Sequence, residues 1–579
     1  MNMEVKKHRT KAWLISFMSI AIVLSACSGQ NGSTDNGQSK SSSVESGTTA
    51  RNEPKGAIAD PLGKYDPPIE VSFVRNLSDV VENNVLGVLK GETFEDNRWT
   101  RLFKDQLGIN IKNNWVVKGN DTSEQYLQKL NVTIASGDIP DFMPVNSTQL
   151  KQLADAGQIE DMTALYQHYA SPDLKRIMSQ EGTAPFDAAT FNGKLMAIPQ
   201  VDSSIESAMF IWIRTDWLQK LGLKPPKTMA DVQAISKAFA DNDPDGNGKK
   251  DTFGLGVTKT LWGGAMGLEG FMAGYKAYPN KWVEGSSGKL AYGSVQPEVK
   301  KALQALQSMF KNGELDQEFG IKDGGKVSEQ VAAGKIGMEY GEQWNSIWPL
   351  QLNRNKDPNA QWQAFPIVSE TGETPKVPLR FNTVKFFAVK KGAKHPEAVI
   401  KMFNLFYEKN WGKTAEFDNY YAPPEAESVW QLSPVNPSPT KKNVEAFRAI
   451  DAARKSGNFS ALTGEAKTIQ GKIEAYHSGS KDGFALWGWE RIYGPEGSEG
   501  VVDQYDKNNQ FLQDKFVGAP TPTMVERKST LEKLQNETFT KIIMGAPIDD
   551  FDKFVQDWAK LGGEQMSKEV NDWYATIKK

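Results

Sequence analysis

Beyond about residue 67 the spacing of apolar positions changes repeatedly, and each change marks an element. Ile69, Val71, Phe73 and Val74 fall in a β-branched stretch, 69–74, that reads as a strand with Arg75 at its end. Trp99, Leu102, Phe103 and Leu107 recur at helical spacing and predict a helix over 97–107. A second strand follows over 109–117. A second helix covers 126–134, where Tyr126, Leu127, Leu130 and Ile134 share one face. Gly137 stops that helix, and Pro140 keeps the chain extended into a short buried strand ending at Val145 and Asn146. This alternation predicts an α/β sheet, mainly parallel, with helices on its faces. Ligands of such sheets sit beyond the carboxyl ends of the strands, where Arg75 and Asn146 fall.

The pattern continues. Residues 192–199 turn into a strand, and 209–214 form a strongly apolar one. A short helix begins at Asp216 and ends at Gly222, and another covers 231–240. Leu303, Leu306 and Phe310 form a helical stripe that 312–316 closes. A helix over 327–333 then turns into a strand at 334–338. Residues 381–389 read as a strand crossing back to the first lobe, and 396–409 as its helix. The Gly-rich stretch 484–489 reads as extended, which sets Trp487 and Trp489 on one side. Helices close the chain, broken at Gly562-Gly563.

Ahead of this body lies a different kind of segment. Lys6, Lys7, Arg9 and Lys11 precede an apolar run over 12–24, too short to span a bilayer as a permanent helix. The three regions of a secretory signal over 1–26 are in order. Leu24-Ser25-Ala26-Cys27 resembles the bacterial lipobox, which implies cleavage before Cys27 and a diacylglycerol on its sulfur. The mature protein is then expected at the extracytoplasmic face of the cell membrane, held there by acyl chains. Residues 27–66 are assigned to the lipidated Cys and a linker. From Ser28 to about Asp60 the Ser, Gly, Asn, Gln and Thr cannot bury enough apolar surface to fold. As a coil that stretch spans about 30 Å. The folded body is expected to begin near Pro67.

Composition narrows the reading. The chain has 579 residues, 39 % of them hydrophobic, enough for more than one lobe. The signal carries four Lys/Arg against one Glu, so its removal takes the formal −3 to about −6, which argues against nucleic acid as a partner. Cys27 is the only cysteine, so large buried cores must hold the body without disulfides. Sixteen Trp and fifteen Tyr supply rings for cores or for stacking platforms.

One loop has metal-like spacing. Counting Asp243 as the first position, Asp245 is third, Asn247 fifth and Asp251 ninth. Gly248 stands at the sharp turn, and Lys249 offers its carbonyl at position seven. Hard Ca²⁺ takes such oxygens, although Gly254 stands where an EF-hand loop has its bidentate Glu. A structural Ca²⁺ on Asp243, Asp245, Asn247, Lys249 and Asp251 is the expectation, with a metal-free Asx/Gly turn as the alternative.

Several blocks carry a family resemblance. They are Ala135-Ser-Gly-Asp-Ile-Pro-Asp141, Asn192-Gly-Lys with Ile198-Pro199, Trp212-Ile-Arg-Thr-Asp-Trp-Leu218 with Leu221-Gly222, and the tail with Leu561-Gly-Gly563 and Glu569-Val-Asn571. In this order they resemble extracellular solute-binding proteins of ABC importers, family 1, in the large lipoprotein branch with alginate- and pectin-oligosaccharide-binding members. The resemblance implies a two-lobe periplasmic-binding-protein-like fold, each lobe a mixed, mainly parallel sheet flanked by helices, with a ligand cleft between lobes. The first lobe takes 67–199 and 387–435, the second 200–386 and 436–579. It also implies a calcium site on the 243–251 loop, although Thr252 stands where those members carry an acidic residue.

In sugar-binding members an aromatic after the strand reading Gly-x-x-x-Met stacks on a sugar ring, which points to Trp344. Trp348 either shares its face or belongs to the core. Trp487 and Trp489 stand between platform and core. Arg75, Asn146, Asn345 and Arg380 are candidates for hydrogen bonds to the ligand. The expected role is capture of an oligosaccharide for the transmembrane subunits of an ABC permease, by a monomer and without catalysis. The alternatives are a surface polysaccharide-degrading enzyme, or a carbohydrate sensor or adhesin. The four histidines, His8, His168, His395 and His477, show no paired zinc-ligand spacing, which disfavours zinc hydrolysis.

Overall fold

The computed structural model describes residues 59–578, apart from Thr374 and Glu427. Cys27, the signal segment and the first part of the linker lie outside the described residues. Ordered packing begins ahead of Pro67. Tyr65 donates its backbone N–H to Leu107 at 2.9 Å and its hydroxyl to Glu397 at 2.8 Å, and Lys401 Nζ reaches the Gly63 carbonyl at 2.7 Å.

The first sheet region is built from β1 (Ile69–Leu77) and β2 (Ile109–Lys118), which run parallel. Beside them stands a three-stranded set made of β3 (Phe142–Val145), β4 (Ile198–Gln200) and, between them, β9 (Lys385–Val389). The second sheet runs β8 (Trp362–Phe365), β5 (Phe210–Arg214), β7 (Ile336–Gly341), β6 (Phe253–Leu255).

The fold is α/β with two lobes and mixed sheets, as expected, and antiparallel pairings take a larger share of them than the strand–helix alternation suggests. β9 is antiparallel to β3 and β4, and β5 is antiparallel to β7 and β8, while β6 and β7 are parallel. The cause is the chain path. β9 and β5 arrive directly from the other lobe, so they enter their sheets at the end where their neighbours leave.

Two large cores result. The first takes side chains from Val71 to Val201, then from Phe386 to Val435, with Val517 added. The second takes Ile205 to Leu379 and Val444 to Tyr574. Trp99 shows how distant segments are joined. It is fully buried, its ring stacks on Phe406 at 4.8 Å, and its indole N–H donates to the Tyr420 carbonyl at 3.0 Å. Removing such a ring costs about 3–5 kcal/mol. A third, smaller core gathers Phe447, Ile450, Ile469, Ile473, Ile492 and Tyr493 from α3 (Lys442–Ser456), α4 (Gly464–His477) and α5 (Trp487–Tyr493). The helices α1 (Ser147–Asp155) and α2 (Ala398–Trp411) flank the first sheet, and α6 (Pro522–Ile543) packs in the second lobe.

Three strands of chain, near 201–207, 379–385 and 435–443, cross between the two large cores. They are tied together by small polar side chains. Ser203 Oγ donates to the Thr440 carbonyl, the Arg380 N–H donates to Ser207 Oγ at 2.7 Å, and the Ser438 N–H donates to the Val201 carbonyl at 3.1 Å. These crossings form the floor on which a site between the cores is assembled.

Candidate ligand cleft

Trp344 owes its place to the turn that follows β7. A Cβ on Gly341 would meet Asn345 Oδ1 at 1.9 Å, so only glycine lets the chain fold back here. Asn345 Nδ2 and the Glu342 N–H both donate to the Gly264 carbonyl at 2.8 Å, which locks the turn. The Trp344 ring is half-buried. It stacks on Trp348, centroids 6.0 Å apart and planes 19° apart, and Trp348 is exposed. Trp344 Nε1 donates to Glu342 Oε2 at 2.8 Å, and Arg380 Nη1 pairs with Glu342 Oε1 at 2.6 Å. Burial lifts the Glu342 carboxyl, and Arg380 and the Trp344 N–H pull it part of the way back.

From this centre the cleft runs two ways. On one side Gln343 Nε2 donates to Glu206 Oε2 at 3.1 Å, and Asn443 also hydrogen-bonds that carboxyl. Lys442 Nζ pairs with Glu465 Oε1 at 2.7 Å. Burial opposes the Lys442 charge, but Glu465, Tyr421 and Glu206 outweigh it and hold that ammonium above its ordinary value. Asp202, exposed on the crossing strand, feels both Lys442 and Lys385. On the other side Asp514 leads into a cavity of about 360 Å³ walled by Trp282, Tyr292, Phe381, Phe386 and Trp558, with Asn146 on its rim. Lys281 lies beside the charges of Asp514, Glu269 and Arg380. On the first lobe, Tyr421 and Trp430 stack at 5.9 Å and are half-buried.

The candidates from sequence therefore separate. Trp344 and Arg380 meet at Glu342, and Asn146 reaches the cavity rim. Asn146 also caps α1, its Oδ1 accepting from the Gln149 N–H at 2.9 Å. Arg75 corrects its expectation. It lies inside β1 and not at its end, is only 8 % exposed, donates to the Gln431 and Ser433 carbonyls at 3.2 Å, and covers the Phe94 ring at 4.2 Å. Burial lowers its pKa to about 10. Asn345 is fully buried and braces the turn, so it has no open face for a ligand.

Trp487 is 1 % exposed and belongs to the second core. Residues 487–493 are helical and not extended, so Trp487 and Trp489 diverge. Trp489 packs instead on Tyr493 and under Lys472. Sequence reasoning missed Glu342, Glu206, Lys442, Tyr421 and Trp430. The only signal for the aromatic pair was the run Tyr420-Tyr421-Ala-Pro-Pro424 followed by Trp430.

The 243–251 loop lies apart from the cleft. Asp243 accepts from the Asn247 and Gly248 N–H groups with both oxygens, at 3.0 and 2.9 Å. Asp245, Asn247 and Asp251 converge, since Asn247 Nδ2 lies 2.8 Å from Asp245 and 3.1 Å from Asp251. Lys335 Nζ spans the same two carboxylates at 3.1 and 2.7 Å. Thr252 turns inward to donate to the Phe239 carbonyl. Among the described residues no three acidic, His or Cys side chains already gather as a ligand set. The oxygens facing one another here are those of Asp245 and Asp251, since Asn247 turns its Nδ2 toward them and its Oδ1 accepts from the Lys249 N–H at 2.8 Å.

The family model described as "Bacterial extracellular solute-binding protein" matches residues 92–413. The chain belongs to this family. This solute-binding protein is 25 % identical over 505 residues to the lipoprotein LipO of Bacillus subtilis (strain 168), covering 83 % of this chain and 89 % of LipO. It is 23 % identical over 473 residues to the polygalacturonan/rhamnogalacturonan-binding protein YtcQ of the same organism, covering 78 % and 83 %. Its fold matches that of the Streptococcus pneumoniae ABC-transporter substrate-binding protein FusA in complex with kestose. The TM-score is 0.52 at 17 % identity, covering 88 % of this chain and 99 % of FusA. Among the described residues no helix of this solute-binding protein is long and apolar enough to cross a membrane.

Proposed function

We propose that this protein captures an oligosaccharide between its two lobes and delivers it, unchanged, to the transmembrane subunits of an ABC permease. The observation that carries the reading is the Trp344–Trp348 stack beside the Arg380–Glu342 pair, set over the three polar crossings between the cores. Aromatic faces stack on the apolar faces of sugar rings. Charged side chains already held by neighbours accept from and donate to hydroxyls without reorganising. Crossings of few residues are where two lobes hinge on closure. YtcQ, named for polygalacturonan and rhamnogalacturonan, and FusA, solved with kestose, bracket the sugars to be considered.

We take 67–199 with 387–435, and 200–386 with 436–579, as the two lobes. Lipidation of Cys27 would hold the body, as a monomer, at the outer face of the cell membrane. The 243–251 loop would bind Ca²⁺ as a structural brace, through the side-chain oxygens of Asp243, Asp245, Asn247 and Asp251 and the Lys249 carbonyl.

The deciding experiment follows melting and reducing-end release together, across a panel of plant and microbial oligosaccharides. A ligand-dependent rise in melting without new reducing ends supports capture. Turnover of any oligomer overturns it in favour of an enzyme.

A further inference from the structure

Resting on the capture reading, we propose that the cleft selects uncharged oligosaccharides and turns away those bearing uronate carboxylates. The argument is an inventory of charge. Arg380 is closed against Glu342 at 2.6 Å, Lys442 against Glu465 at 2.7 Å and Lys385 against Asp121 at 2.7 Å. Lys281 lies in the field of Asp514 and Glu269. Lys528, at the far cavity, faces Glu532 at 3.8 Å. Arg75 gives Nη2 to two backbone carbonyls and lies over the Phe94 face, while its Nη1 is buried without a hydrogen-bond partner.

Arg380, Lys442, Lys385 and Lys528 are thus already paired, and the two cations with no carboxylate within 4 Å among the described residues, Arg75 and Lys281, are buried and half-buried. Two acids, by contrast, have no cation within 4 Å among the described residues, although Lys442 acts on both from farther off. Asp202 is exposed on the crossing strand, and Glu206 takes only amide donors from Gln343 and Asn443. Behind Glu206 lies Glu499, fully buried with neither carboxylate oxygen hydrogen-bonded; burial and then Glu206 raise its pKa well above the ordinary value, so it is held neutral and the charge of the wall comes from Asp202 and Glu206. The cleft therefore presents an acidic, acceptor-rich wall beside aromatic faces.

Such a wall suits hydroxyls. A fixed carboxylate accepts two O–H groups in charge-assisted bonds, the stronger kind. A uronate in the same place sets like charge on like charge at a desolvated interface, which opposes its binding. A gluconate-type end or a sulfate ester meets the same objection.

The test compares neutral tetrasaccharides (fructo-, galacto- and xylo-series) with tetragalacturonate on the purified protein by calorimetry, at low and high salt. The expected result is binding of a neutral oligomer and tetragalacturonate weaker by about a hundredfold or more, the gap narrowing as salt screens the repulsion. Asp202→Asn combined with Glu206→Gln should weaken the neutral ligand about tenfold and shrink the discrimination, with melting of the free protein as the folding control. Tetragalacturonate binding as tightly as any neutral oligomer overturns the charge assignment and leaves capture standing. Discrimination that the double substitution does not change also overturns it. Failure of every member of both series overturns the capture reading itself.

Discussion

The indole N–H of Trp344 donates to Glu342 Oε2 at 2.8 Å, so the stacking ring and the central carboxylate of the cleft are set by one hydrogen bond. Trp344→Ala removes a half-buried ring that no core depends on. Ligand affinity is expected to fall about 10–100-fold, the range of a good aromatic anchor, while the melting temperature of the free protein stays within a few degrees. Calorimetry paired with a melting scan checks both halves.

Glu342→Gln keeps an acceptor for Trp344 but leaves the Arg380 guanidinium without its carboxylate. Neutral ligands should bind more weakly, and tetragalacturonate should bind more tightly than it does to the parent. An unchanged uronate affinity would mean that Arg380 does not face the ligand.

Trp487 and Trp489 should behave differently despite their two-residue spacing. Trp487→Ala opens the second core and should cost about 3–5 kcal/mol of stability. Trp489→Ala loses only part of the small third core and should cost less than half of that. Denaturant unfolding separates the two.

Glu339 lies in β7 with both carboxylate oxygens buried and unpartnered, and burial alone pushes its pKa to about 8. The folded state thus holds this proton where the unfolded chain, near 4.5, releases it. The contribution to stability is complete below about pH 4.5 and is lost as pH rises toward 8, with a slope of at most about 1.4 kcal/mol per pH unit. Glu339→Gln should flatten that part of the stability–pH curve. A curve of the same shape in the variant would show that other carboxyls set it.

The calcium reading of the 243–251 loop predicts that Ca²⁺ raises the melting temperature and chelation lowers it. Asp245→Asn with Asp251→Asn should abolish the response. Because Lys335 already bridges these carboxylates, Lys335→Met should strengthen the Ca²⁺ effect. No shift in either direction would leave Lys335 as the loop's own counter-charge.

Much of the scaffold could be read from spacing because period alone carries it. β1, β2, the helix ending at Gly137 and the return strand β9 all follow the apolar pattern within a few residues. Strand direction was not legible in the same way. It depends on which lobe a strand arrives from, and that is a property of the path. The site was only half legible. Trp344, named from the family resemblance, and Arg380, named from its strand-end position, meet at Glu342. Arg75 and Asn345 look equally polar in sequence but are consumed by backbone carbonyls. Glu206, Lys442 and Tyr421 come together only through contacts between residues far apart in the chain, which leave no periodic trace.

The position of β9 has a consequence for biosynthesis. This strand, at the middle of the first three-stranded sheet, follows the whole of the segment that builds most of the second lobe, and the first core is complete only once Val517 is in place. A polypeptide threaded through a membrane amino end first must therefore emerge for most of its length before its leading half can close. Until then β3 and β4 wait with a gap between them, open to proteases and to whatever chaperones patrol the far side.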